Sequence, residues 1–342
     1  MAGIHPPKIS VLMPIYKGDE YLSAAVDSIL NQTFSDFEFI IICDDPTEKT
    51  RQILDKYKQS DSRIRVYYQE REGLVNSLNR GCSLAQGEYI ARMDADDISL
   101  PNRFEKQVQF MDQNPLVCAS GSWVEVIEYN AGGIWKYPVE NDEIRCRHLF
   151  NCSIAHPSSI IRKAHLTQQN LQYDNTSRYC EDYNLWVQIS KFHSLANVDK
   201  VLLKYRIHQN ALGQQYPDDQ IRCADQVRCW QLRKFLGLAP TEDELRLHSS
   251  ISNGIFESRT DYLIAVNQWL LKIWDANLKQ NYFDDSALAA ELAKRWYMAC
   301  IRATRLGIST WKQFKASSLS KTHVLKKRQK YILLIKCLLK ME

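Results

Sequence analysis

Gly87-Glu88-Tyr89-Ile90-Ala91-Arg92-Met93-Asp94-Ala95-Asp96-Asp97 decides how this chain reads. Residues 89–93 have the character of a short buried strand, and three carboxylates crowd its end. Anions that close repel one another and lose hydration, so the cluster is costly without a positive partner. Hard carboxylate oxygens suit Mg²⁺ or Mn²⁺, and a divalent cation carrying a phosphorylated ligand is the natural partner. Acid-x-acid triplets are common: with 40 acids in the chain, about five arise by chance. The setting of this one carries the reading.

Upstream, residues 9–13 predict a buried strand stopped at Pro14. Asp19 and Glu20 predict the opening of a helix, first-turn acids complementing its dipole, with Leu22, Ala25, Val26, Ile29 and Leu30 on one face. Residues 37–43 are continuously apolar, as a parallel strand covered on both faces should be. A helix over 47–57, a strand over 64–68 and a helix over 74–85 lead into the quoted stretch. Strand-helix alternation of this kind predicts an α/β fold with a doubly wound sheet. Such sheets bind ligands at the carboxyl ends of their strands. Pro14-Ile15-Tyr16, Asp44-Asp45 and Asp94-Ala95-Asp96-Asp97 all fall there. Downstream, a helix starting near Pro101, a strand-like stretch over 117–137, helices over 141–149 and 181–191, and a strand over 198–205 complete the unit.

Beyond about residue 216 strand patterns give way to helical periodicity, over 221–236, 242–248, 262–274 and 287–306. The expected division is a catalytic domain over 1–215 and a helical region over 216–342 for acceptor, membrane-surface or oligomer contacts. Trp269, Trp274, Trp296 and Trp311 read as packing residues there. Residues 321–340 carry Lys321, Lys326, Lys327, Arg328, Lys330, Lys336 and Lys340, no acid, and apolar Val324, Leu325, Ile332, Leu333, Ile335 and Leu338. A basic amphipathic helix of that kind can lie on an anionic membrane surface.

The chain's 342 residues leave room for about two domains. A hydrophobic share of 45% with 25% charged residues fits an ordinary globular protein. A net charge of +4 is too small to argue for a nucleic-acid partner. Ten cysteines without a C-x-x-C pair suit reduced thiols better than a zinc site or a disulfide framework. With no secretory signal and no spanning window, the expected place is cytoplasmic, or peripheral on the inner face of the cell membrane.

A series of ordered blocks resembles the inverting family 2 glycosyltransferases of the GT-A fold, of the bacterial surface-polysaccharide type. They are Ile9-Ser10-Val11-Leu12-Met13-Pro14-Ile15-Tyr16, Ser28-Ile29-Leu30-Asn31-Gln32-Thr33-Phe34, Asp44-Asp45, the 73–79 helix opening, Ile90 through Asp97, Cys180-Glu181-Asp182-Tyr183 and Tyr205-Arg206-Ile207-His208. The likeness covers roughly residues 8–210. It implies a mixed GT-A sheet flanked by helices, and a nucleotide-sugar donor, most simply UDP-linked, held with Mg²⁺ or Mn²⁺. Pro14 and Tyr16 would line the base pocket, Asp44 or Asp45 would accept the base N–H, and Gly73 would open the nucleotide-facing helix. Asp94 would bond the ribose, and Asp96 and His208 would ligate the metal. Asp97 would support that shell or cap the next helix. Asp182 would be the general base and Glu181 would orient the acceptor, a glycan or lipid-linked glycan. His156 would border the acceptor side, and Arg71 and Arg92 would touch phosphate or sugar. Asp45-Pro46-Thr47-Glu48 departs from the Gly-Ser pair of many relatives, which leaves the base contacts open.

Processive synthases of this kind carry Gln-x-x-Arg-Trp and membrane helices. Here Arg295-Trp296 has Leu292 at the glutamine position, so transfer of one sugar per encounter is expected. A sugar-phosphate nucleotidyltransferase would want a Gly-rich phosphate loop that Pro14-Ile15-Tyr16-Lys17-Gly18 does not supply. The remaining alternative is a nucleotide-binding scaffold without turnover.

Overall fold

A computed structural model describes residues 5–17, 20–128 and 132–341. The chain divides into two compact units, 1–144 with 152–220 and 145–151 with 221–342. The first opens with β1 (Ile9–Tyr16), α1 (Leu22–Leu30), β2 (Phe37–Asp44), α2 (Glu48–Ser60), β3 (Ile64–Gln69), α3 (Leu74–Leu84) and β4 (Tyr89–Arg92). It continues through β5 (Ile98–Ser99), α4 (Arg103–Gln113), β6 (Val117–Ile127), β7 (Gly133–Trp135), α5 (Asn141–His148), β8 (Ile160–Arg162) and α6 (Lys163–Gln168). It ends with α7 (Glu181–Ile189), β9 (Ser194–Arg206) and α8 (Leu212–Gln215).

The strands form one mixed sheet in the order β3-β2-β1-β4-β8-β6-β9-β5, with β7 added beside β6. The first four in that order are parallel, so β1, β2 and β4 deliver their ends to one edge, Tyr16 standing opposite Asp44. Every residue of β2 is buried, as a parallel strand covered on both faces requires. Side-chain alternation splits the core into two layers. Val11, Met13, Phe39 and Ile41 pack with Leu22, Val26 and Ile29 of α1 and Phe104 and Met111 of α4. Leu12, Ile40 and Ile42 pack with Val75 and Leu78 of α3 and Leu185, Trp186 and Ile189 of α7. Gly87 lets β4 enter: a Cβ there would stand 2.6 Å from the Ser10 backbone nitrogen.

The structure departs from expectation at several points. Helix α1 starts at Leu22, and its first turn holds no acid. Glu20 stands outside it, and Asp19 lies outside the described residues. Burial of Leu22, Ala25, Val26 and Ile29 holds that helix rather than a dipole-complementing first turn. Strands β5 and β8, two and three residues long, had no legible pattern. Asp97 does not cap a helix: its Oδ1 accepts the Arg206 backbone N–H at 2.8 Å, tying the acidic turn to β9.

The second unit contains α9 (Pro217–Leu236), α10 (Glu242–Ser252), α11 (Thr260–Gln280), α12 (Asp285–Arg302), α13 (Ile308–Ala316) and α14 (Lys327–Leu339). Segment 145–151 belongs to it, which the division at 215/216 missed. Its carbonyls are claimed by buried side chains: Phe150 O by Arg228 Nε at 2.7 Å, His148 O by Gln231 Nε2 at 2.8 Å, and Leu149 O by His248 Nε2 at 2.8 Å. Trp269 Nε1 donates to His248 Nδ1 at 3.0 Å, and burial pushes that imidazole down to about 3, so the ring is neutral. Trp296 is fully buried and Arg295 pairs with Glu291, so this Arg-Trp pair is helix packing. Eight of the ten cysteines keep reduced thiols, so the expected ten were too many. No helix among the described residues is long and apolar enough to cross a membrane.

Candidate active site

Strand β4 ends at Arg92, and the chain turns through Ala95 and Asp96. Oxygens of Asp94, Asp96 and Asp97 come within 4.8 Å of one another. Asp96 Oδ2 lies 2.9 Å from His208 Nε2, and the Asp96 carbonyl accepts Arg206 Nε at 2.6 Å. The His208 ring packs against Tyr21, centroids 5.1 Å apart. Strand β9 thus brings Arg206 and His208 to the acidic turn although more than a hundred residues separate them in sequence. Asp97 is 1% exposed, and burial, then the charges of Asp94 and Asp96, hold its pKa well above the usual carboxylate range. Its Oδ2 is buried with no hydrogen-bond partner among the described residues.

The donor set suits a hard cation: clustered carboxylate oxygens, an adjacent imidazole and one orphaned buried oxygen. Asp96 and His208, with Asp94 and Asp97 alongside, could hold Mg²⁺ or Mn²⁺.

At the neighbouring strand ends, Asp44 and Asp45 differ sharply. Asp44 is buried, its two oxygens accepting the backbone N–H of Glu72 at 2.8 Å and of Gly73 at 2.9 Å, with Gln69 Nε2 at 3.2 Å. It therefore shapes the turn into α3. Gly73 sits there at φ 87°, a conformation that favours glycine. Asp45 is solvent-facing, 3.9 Å from Lys17 Nζ. Pro14 is buried inside β1, and Tyr16 is exposed, flanked by Lys17 and by the Arg71 guanidinium 5.5 Å from its ring centroid.

Arg92 joins this edge to α7. Its guanidinium is 4% exposed and pairs with Asp94. Burial pulls its pKa down, but the Asp94 charge more than reverses this, so it stays a cation. Its charge reaches Asp97, Glu181 and Asp182 as well. Burial raises Asp182, while the Tyr183 N–H at 2.7 Å, Arg92 and the Cys152 thiol at 3.8 Å work against that rise. Glu181, 6% exposed, is pushed up to about 7 by burial and by Asp182. His156 does not stand open to an acceptor. It is buried, its Nε2 lies 3.0 Å from the Tyr173 hydroxyl, and burial then Arg92 hold its pKa well down.

Two supports went unread in the sequence. Arg103, fully buried in α4, donates to the Arg92 carbonyl at 2.7 Å and the Ser159 carbonyl at 3.2 Å, and burial lowers it to about 9. Gln32 bonds Ser99, the Leu100 carbonyl and the Phe104 N–H, clamping the chain that leaves the acids. Gln32 lay in a quoted block, so its signal was present without its partner.

Residues 10–169 match the family model described as "Glycosyl transferase family 2". Over 240 residues the chain is 37% identical to the O-antigen biosynthesis glycosyltransferase WbnJ of Escherichia coli, covering 67% of this chain and 89% of that one. An uncharacterized glycosyltransferase of Haemophilus influenzae is 32% identical over 242 residues, covering 67% and 75%. Among solved structures, S. aureus TarS 1–349 in complex with UDP-GlcNAc superposes with a TM-score of 0.56 at 16% identity, over 92% of this chain and 91% of that one. Mannosyltransferase PcManGT from Pyrobaculum calidifontis, in complex with GDP-Man and Mn²⁺, gives 0.53 at 14% identity, over 98% and 87%. At such identities these two speak for the GT-A fold alone.

Proposed function

The chain belongs to glycosyl transferase family 2 and is a glycosyltransferase, and from that premise we propose a non-processive, inverting, metal-dependent transfer from a UDP-linked sugar to a glycan or lipid-linked glycan. One observation carries this reading: a single buried cation, Arg92, pairs with the acidic turn while its charge acts on the carboxylates opening α7. An O-antigen biosynthesis enzyme among the relatives supports a glycan acceptor.

In this reading Tyr16 and Pro14 form the base wall. Asp45 accepts the base N–H, because the oxygens of Asp44 already serve the α3 turn. The Gly73 turn borders the pocket and Asp94 receives the ribose. A divalent cation on Asp96 and His208 supplies charge neutralisation for the diphosphate when bound. Asp182 takes the proton of the acceptor hydroxyl as that oxygen attacks C1 from the face opposite the diphosphate. The new C1–O bond forms as the bond to the diphosphate oxygen breaks, and UDP leaves. Incubation with a panel of nucleotide sugars, with and without Mn²⁺, tests it. Metal-dependent UDP release supports the proposal, and GDP release without UDP release overturns the donor assignment.

The sign of the pH dependence follows from Asp182. A base must be ionised, so kcat/KM falls as pH drops through its pKa. Since burial raises that pKa, the acid limb should lie above the value of about 3.9 for a free aspartate. A profile flat down to about pH 4 would remove Asp182 from the role.

The same proposal puts the protein at an anionic membrane face. On α14, Tyr331, Ile332, Ile335, Leu338 and Leu339 share one outward face at helical spacing, while Leu333 and Cys337 on the opposite side are buried. Lys327 and Lys336 flank the outward face. Sedimentation should show binding to phosphatidylglycerol vesicles and not to phosphatidylcholine. Lys327→Glu with Lys336→Glu should weaken it by at least about 2 kcal/mol, at roughly 1 per cation removed. Equal binding to both vesicles would defeat the idea.

A further inference from the structure

A tyrosine is an awkward residue to keep at a left-handed backbone angle, yet Tyr179 is held at φ 77° three positions before Asp182. Two contacts retain it. Its backbone N–H faces the Glu181 carboxylate and works against the rise in that group's pKa. Its ring stacks on Tyr216, centroids 4.9 Å and planes 27° apart. The Arg178 guanidinium stands 4.9 Å from the Tyr179 centroid, and Arg178 is exposed. Tyr216 keeps 38% of its surface open to solvent, so the pair is no core contact. Glycine would relieve the angle, but it would also remove the ring.

We propose that Tyr179 and Tyr216 form a platform for a pyranose ring of the acceptor glycan, presenting its hydroxyl to Asp182. The proposal rests on Asp182 being the base. The C–H face of a pyranose is apolar and packs on aromatic planes, while its rim of hydroxyls wants donors and acceptors. Tyrosine supplies both a flat apolar body and a polar tip, and Arg178 adds donors at the edge. A nucleotide base could also stack on such rings, but this reading already gives the base to Tyr16 and Asp45 at the carboxyl ends of β1 and β2, whereas Tyr179 stands three residues before the general base Asp182. The acceptor is therefore the better occupant.

The test is saturation-transfer NMR with UDP and the methyl glycosides of glucose, galactose and N-acetylglucosamine as probes. Transfer to ring C–H protons of at least one glycoside is expected in the wild-type chain. That signal should fall by about tenfold in Tyr179→Gly and Tyr216→Ala, and return in Tyr216→Phe, while the uracil protons of UDP still respond. Thermal melting keeps the outcome interpretable, since Tyr179→Gly relieves backbone strain and should melt no lower than wild type. Unchanged glycoside signals in the folded variants, loss at uracil instead, or no glycoside signal in the wild type would each overturn the platform. Normal transfer by Asp182→Asn would sink the base assignment separately, leaving the platform to stand or fall on its own signal.

Discussion

Asp182→Asn should cut sugar transfer by about a thousandfold while UDP affinity stays within about twofold. The substitution keeps the side chain's shape, and an amide oxygen can still accept the Tyr183 N–H that now holds Oδ1 at 2.7 Å. What it loses is the capacity to take a proton. Glu181 is the competing candidate, since it opens the same helix and its pKa is pushed up to about 7. It is nonetheless almost wholly buried, at 6% exposed, which leaves an acceptor hydroxyl little surface to reach. Half-buried Asp182 is reachable. Glu181→Gln should therefore cost much less than Asp182→Asn. Turnover followed by UDP release, beside calorimetry with UDP, separates the cases; near-normal turnover in Asp182→Asn would remove it as base.

What was legible in the sequence follows from how local each signal is. The apolar runs of β1 and β2 and the acids after β4 are written in consecutive residues, and the parallel sheet follows from their alternation with helices. Strand β8 has three residues behind Pro157, and β5 has two. Both exist only because longer strands offer them partners. The same holds for side chains. Asp44 and Asp45 look equivalent in sequence, and only the fold gives one to the α3 turn and leaves the other at the surface. Arg103 sits on an amphipathic helix where an arginine would normally face water, yet it supports the Arg92 carbonyl from inside the core. Segment 145–151 joins the helical unit through backbone carbonyls, which no residue pattern announces.

Asp96→Asn is the second large effect, because Asp96 alone of the three acids both faces solvent in part and touches the imidazole. Asp97 is the contrasting case, buried and committed through Oδ1 to the β9 backbone, so its replacement should show first in folding. If Asp96 and His208 hold the divalent ion, Asp96→Asn should lower transfer by about 10²–10³-fold, the size of losing one preorganised electrostatic contact to the developing charge. Chelation of the wild-type enzyme should lower it similarly, and the two losses should not add, since they remove the same interaction. Stability offers a readout without turnover. At a hundredfold excess over its dissociation constant, Mn²⁺ should stabilise the wild-type chain by about 2.7 kcal/mol, and Asp96→Asn should forfeit most of that. Without metal the variant loses a carboxylate crowded against Asp94 and Asp97, so chelated wild type should melt no higher than chelated Asp96→Asn. A full Mn²⁺-dependent rise in melting temperature in Asp96→Asn would show that the ion binds elsewhere.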